Sequence, residues 1–233
     1  MSAVAEREPA ARPLAIGEPS ALGRLVAVVG AHGGCGVTRA AVAVARDSAA
    51  GAVLIDADLG GGDAQAVLGL APRSADVGLA GLSTVDERAI IGAARRTAFG
   101  WLFEACPRPE LAWLIRDGRM RDVARAAMRI APLAVVDAGR PFGPSLEPVV
   151  DADVIVLLAH AHRTDARDRA RRRLVRGGAD ERRILDCATA PTLLERAIGR
   201  VRRDVAVVDV ERDDQLLLMI EGRLATLGPR DRG

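Results

Sequence analysis

Lysine, asparagine and tyrosine are absent from this chain of 233 residues, and its 33 basic residues are all arginine. A site that needs a fixed positive charge has only guanidinium groups to draw on. Aromatic residues make up 2%, which leaves little for stacking on nucleic-acid bases. Cysteine is scarce too. Cys35, Cys106 and Cys187 stand far apart, which excludes a disulfide framework and a metal-ligand spacing and fits a reducing compartment. No apolar run reaches 18 residues, so no membrane-spanning helix is expected. The opening segment MSAVAEREPAARPLAIGEPSALGR lacks the apolar stretch of a secretory signal. A formal net charge of +2 removes any strong overall attraction to nucleic acid or to a membrane surface.

Hydrophobic residues account for 49% of the chain, enough for one sizeable core. From Leu25 onward, short apolar runs alternate with helical patterns. LVAVVG (25–30), AVLIDAD (52–58), GWLFEA (100–105), LAVVDAG (133–139), DVIVLLAHA (153–161), RILDCAT (183–189) and VAVVDV (205–210) read as strands. Helical spacing runs over 37–49, 86–98, 120–131, 163–178, 192–202 and 213–227. Strands that are apolar throughout are buried on both faces, as in a parallel sheet. Alternation of strand and helix then predicts a doubly wound α/β fold, a mostly parallel sheet with helices on both faces. Residues 23–227 form one expected domain, between an Ala-, Pro- and Glu-rich N-terminal tail (1–22) and a short C-terminal tail (228–233).

The segment GAHGGCGVTRA (30–40) joins the first strand to the first helix. Such a loop presents backbone N–H groups at the positive end of a helix, and its glycines let the backbone approach an anion closely. The spacing does not match the G-x-G-x-x-G of dinucleotide folds. His32-Gly33-Gly34-Cys35-Gly36-Val37-Thr38 resembles the deviant Walker A motif of the ParA/MinD family, K-G-G-x-G-K-[ST], at the glycines and the threonine. It departs at both lysines. His32 stands at the signature lysine, which in that family reaches across a nucleotide-sandwich dimer. Val37 stands at the lysine that bridges the β- and γ-phosphates. LIDADLGGGDAQAVLGL (54–70) and LAVVDAG resemble the CpaE/TadZ-like branch, ParA-like proteins of pilus-assembly and secretion loci. The resemblance covers roughly residues 24–227 and is strongest over 25–70.

That resemblance implies a P-loop nucleotide site. Gly33, Gly34, Cys35, Gly36, Val37, Thr38 and Arg39 would cradle ATP or ADP. Thr38, Asp56 and Asp137 would hold Mg²⁺, and Asp58 would position the attacking water. These acids end apolar strands, where doubly wound folds place ligands, although acids at strand ends also cap turns. Val37 donates nothing to phosphate. Losing one preorganised donor costs roughly 3–4 kcal/mol at a transition state, so weak nucleotide binding and negligible hydrolysis are expected. The branch implies a localisation or scaffold role in the cytoplasm, at the inner face of the membrane. Its partners would be pilus or secretion apparatus proteins or a membrane platform, with a homodimer also implied and no metal beyond Mg²⁺.

A repurposed fold that binds no ligand and acts only through protein contacts stays open, and so do two other readings. One is an active ATPase in which Arg39, or an arginine of the 163–176 cluster, replaces the lysine. The other is a ParA-like partition protein that binds DNA nonspecifically through the seven arginines between Arg163 and Arg176. His160 and His162 have no third ligand nearby in sequence, so no zinc site is expected. LLLMI (216–220), apolar on all sides, is expected to be buried against the sheet, with Gly222 interrupting the helix.

Overall fold

Apolar runs of five to seven residues form the centre of the molecule. The computed structural model describes residues 22–71, 78–106, 108–189, 206–208 and 214–227. Their strands are β1 (Arg24–Gly30), β2 (Ala52–Asp56), β3 (Arg95–Thr97), β4 (Gly100–Glu104), β5 (Leu133–Asp137), β6 (Val154–His160), β7 (Ile184–Thr189) and β8 (Ala206–Val208). They make one sheet in the order β3-β4-β2-β5-β1-β6-β7-β8. All neighbours are parallel except β3 against β4. The helices are α1 (Val37–Asp47), α2 (Ala64–Val67), α3 (Glu87–Ala93), α4 (Arg119–Ile130), α5 (Leu146–Val150), α6 (Thr164–Arg176) and α7 (Asp214–Leu227).

The strand period of two splits each central strand between two cores. Leu25, Ala27 and Val29 of β1 face a core shared with α4, α5 and α6 through residues such as Met120, Val149 and Leu174. Val26 and Val28 face a second core with Val44 of α1 and with Leu216 and Ile220 of α7. Both faces of the sheet are therefore covered by helices, the doubly wound α/β architecture of the sequence expectation. The chain leaves β1 toward β2 on one side and returns through β5 to reach β6 on the other. The loops after β1, β2 and β5 consequently converge at one crevice beyond the strand ends, the usual ligand position in such sheets.

Three local expectations need correction. The helix read over 86–98 stops at Ala93, because residues 95–97 turn back as β3 and pair with β4. Arg95 lies 3.9 Å from Glu104 and Arg96 stacks 4.7 Å from the Trp101 ring, which favours the hairpin over a longer helix. Gly222 does not interrupt α7, which runs on to Leu227. LLLMI is not buried all round either: Leu216 and Ile220 are buried, whereas Leu218 is 65% exposed. The tails at 1–21 and 228–233, the helix read over 192–202 and most of the strand over 205–210 lie outside the described residues. No helix among the described residues is long and apolar enough to cross a membrane.

Candidate functional site

The glycine loop is pinned at its start. The Gly30 N–H donates to the Gly139 carbonyl (2.7 Å) and the Ala31 N–H to the Leu158 carbonyl (2.9 Å), so the loop leaves β1 between the ends of β5 and β6. It enters α1 through Gly36, whose φ of 84° suits glycine. Among the described residues no side chain caps this helix, so the N–H groups of its first turn, whose residues border the crevice, are left as potential anion donors. Val37 folds under the loop. A Cβ placed on Gly30 would come within 2.8 Å of Val37 Cγ2 and of Cys35 Sγ, so a side chain at 30 would expel one of them. Burial raises the Cys35 thiol above its ordinary range, and its Sγ–H donates to the His32 carbonyl at 3.0 Å. It is a packing residue, not a thiolate nucleophile.

The chain's three histidines meet at this loop. His32 Nε2 accepts the backbone N–H of His160 at 3.1 Å, and its Nδ1 lies 2.9 Å from the Gly33 carbonyl. An acceptor at Nε2 and a carbonyl at Nδ1 place the ring proton on Nδ1. His160 Nε2 lies 3.1 Å from the Gly34 carbonyl, which can only accept. The two rings meet edge-on with centroids 4.6 Å apart, and His162 lies 5.7 Å beyond. His32 thus spends both nitrogens tying the loop to β6 and its own backbone, and neither is left for a phosphate. Among the described residues no group of three or more His, Cys, Asp or Glu is arranged to hold a metal ion.

The acids divide into two kinds. Asp56 is turned inward. Its two oxygens accept the Asp58 N–H (3.3 Å) and the Ala64 N–H (3.1 Å), and Gly62 passes so close to the carboxylate that a Cβ there would collide with it. It anchors the glycine-rich turn of residues 60–62, and burial together with the charge of Asp137 holds its carboxyl well above the usual range. Asp58 stands at the crevice, with Oδ1 accepting the Gly60 N–H at 3.0 Å and its carboxylate pressed against Gly139. Gly139 has φ of 52°, so both its backbone and the close approach of Asp58 require glycine.

Asp137 ends β5 and is fully buried. Its Oδ1 accepts the Gly139 N–H at 3.1 Å, while Oδ2 is buried with no hydrogen-bond partner among the described residues. Burial pushes its carboxyl up to about 6. The Thr38 hydroxyl beside it opposes that rise without forming a well-shaped bond to Oδ2, and Asp58 and Asp63 add to it. An orphaned buried carboxylate oxygen next to a threonine hydroxyl at the mouth of a phosphate-type loop suits a hard divalent cation such as Mg²⁺.

A cavity of about 780 Å³ opens at the loop, within the range of small-molecule sites. Gly34, Cys35, Gly36, Val37, Thr38, Arg39 and Asp58 all border it, as does His32. Gly33 is exposed beside it, and Asp56 and Asp137 lie beneath. The structure thus unites the residues singled out from sequence, adds Asp63, Arg140 and Phe142, and picks Arg173 out of the 163–176 arginine cluster. Arg140 had a usable signal, its place three residues beyond the acid that ends β5. Arg173 was hidden within a run of arginines.

No family model matches this chain, and no curated protein matches it in sequence. Solved structures do. A ParA family ATPase from Chlorobium tepidum TLS superposes with a TM-score of 0.59 at 17% identity, covering 89% of this chain and 94% of that one. The septum site-determining protein MinD of Pyrococcus horikoshii, solved with Mg-ADP, gives 0.57 at 17% identity over 85% and 87%. A plasmid partition protein from Borrelia burgdorferi gives 0.60 at 11% identity over 87% and 100%. At these identities the likeness is one of fold, and the fold of this chain is that of the ParA/MinD-type P-loop ATPases.

Proposed function

We propose that this protein is a ParA/MinD-like scaffold that binds a Mg²⁺–nucleotide weakly and hydrolyses it negligibly. One observation carries the reading. What supports it is a set of groups suited to phosphate and Mg²⁺, namely an uncapped α1 N-terminus, Thr38 and the orphaned oxygen of Asp137. The position that would counter charge in phosphoryl transfer is Val37, folded against Gly30. His32 does not substitute, because both its nitrogens are engaged on backbone groups. The same engagement keeps it from reaching across a dimer interface, so a homodimer would need other contacts. By its likeness to the CpaE/TadZ-like branch, the protein would help localise or assemble a pilus or secretion apparatus at the inner face of the membrane, with a secretion ATPase or membrane platform protein as partner.

Calorimetric titration with ATP·Mg²⁺ and ADP·Mg²⁺, beside Thr38→Ala and Asp137→Ala, tests the reading. Binding that both substitutions abolish supports it. No heat at millimolar nucleotide removes it. The DNA-partition alternative rests on exposed Arg163, Arg169, Arg172, Arg173 and Arg176. It requires steeply salt-dependent duplex binding that Arg172→Glu weakens. Arg171 is not the residue to test, since Asp186 (2.6 Å) and Glu181 (3.2 Å) already neutralise it.

A further inference from the structure

We propose that Arg140 and Arg173 supply the positive charge the glycine loop lacks, making the cavity beside it an arginine-clamped polyphosphate site. This rests on the reading that the loop still holds phosphate, and it names the side chains that make such binding possible.

Three distant segments bring guanidinium groups to one cavity. Arg39 comes from the first turn of α1, Arg140 from the turn after β5, and Arg173 from α6. None of the three forms an ion pair with a described residue, whereas Arg171 on the same helix as Arg173 is paired twice. The acids at this cavity do not neutralise them. Asp58 is directed onto the Gly60 N–H and Gly139, not onto a guanidinium. Among the described residues, the one other carboxylate on the cavity wall is Asp63. Among the described residues, the three guanidinium groups face Asp58 and Asp63 on the wall and Asp137 beneath it, none of them ion-paired to the arginines, so an entering anion finds its positive partners in the arginines, at the mouth of a loop that already offers backbone N–H donors.

Arg140 and Arg173 differ from Arg39 in one respect. Both also line a second cavity of about 180 Å³, between the ends of β1 and β6 and helix α6, with Val29, Leu157 and Leu174 among its walls. They stand on the boundary between the two cavities, with space on either side and long flexible stems. An anion in the larger cavity can draw both guanidinium groups inward without displacing core residues. Each guanidinium can engage two phosphate oxygens at once, which an ammonium group cannot do in a fixed geometry. A pair of arginines on the cavity wall can therefore replace the binding role of an interior lysine while leaving Val37 under the loop.

The ligand chemistry is a polyphosphate, either inorganic or carried by a nucleoside. The full chain would be titrated calorimetrically with inorganic pyrophosphate and, separately, with ATP·Mg²⁺. Arg140→Ala, Arg173→Ala, the double variant and Arg172→Ala, which alters an exposed arginine of α6 outside the cavity, complete the set. The expected result is about a tenfold loss of pyrophosphate affinity for each single cavity variant and about a hundredfold loss for the double. The ATP·Mg²⁺ titration should show a parallel loss, Arg172→Ala should bind as wild type, and thermal midpoints should be unchanged. A double variant that binds pyrophosphate as wild type overturns the inference while leaving the scaffold reading intact. An equal loss in Arg172→Ala overturns it too, since the effect would then be one of general charge. A wild-type protein that binds neither ligand overturns both.

Discussion

Replacing Asp137 by asparagine should stabilise the fold at neutral pH while abolishing Mg²⁺–nucleotide binding. Asp137 is fully buried, with Oδ2 unpartnered, and burial lifts its carboxyl to about 6. An unfolded aspartate titrates near 3.9, so above pH 7 the ionised form costs the native state about 2–3 kcal/mol. That cost disappears as pH falls from about 6 toward 4, where the folded protein takes up a proton before the unfolded chain does. An asparagine keeps an acceptor for the Gly139 N–H and carries no charge, but its own buried amide offsets part of the gain. The net gain should be about 2 kcal/mol at pH 7.5, or about 4–8 °C in thermal midpoint for a chain of this size. Midpoints measured from pH 7.5 to 5 should converge, with the wild type rising toward the variant. Millimolar Mg²⁺ at pH 7.5 should raise the wild type alone. Equal midpoints across the whole range, or a variant less stable at pH 7.5, would refute the description of Asp137 as a strained, orphaned acid.

Other outcomes follow from the same geometry. Gly139→Ala should lose about 1–3 kcal/mol in urea unfolding, because alanine at φ of 52° is strained and its methyl meets the Asp58 carboxylate. His160→Ala should accelerate hydrogen exchange at the Gly33–Gly36 amides, since it removes the imidazole bonded to the Gly34 carbonyl; exchange unchanged from wild type would show that the imidazole does not hold the loop. In α7, Ile220→Ala should cost about 2–4 kcal/mol and Leu218→Ala less than about 0.5 kcal/mol, a difference that chemical denaturation resolves.

The sheet was legible because its strands are buried on both faces and read as unbroken apolar runs, LVAVV and VIVLL most plainly. The loop was legible because glycines spaced between a strand and a helix leave few other uses. The hairpin at 95–102 was not. Its helical spacing continues past Ala93, and the arginines that favour β3 act through Glu104 and Trp101, partners that only the folded sheet supplies. Asp56 and Asp137 look alike in sequence, each ending an apolar strand. Only the backbone around them decides that Asp56 has both oxygens occupied while Asp137 keeps one free. The meeting of His32 with His160 joins residues 128 apart, and no local pattern announces it. Arg140 and Arg173 become neighbours of the loop through the same crossover topology.

The proposed scaffold holds a nucleotide in its glycine loop without turning it over. The most direct test is to incubate the protein with ATP·Mg²⁺, separate protein from free nucleotide, and identify chromatographically what remains bound over time. Intact ATP on the protein, with no ADP accumulating beyond the buffer control, is the expected result. Steady release of ADP and phosphate, lost in Thr38→Ala, would contradict the claim and make the protein a lysine-free ATPase.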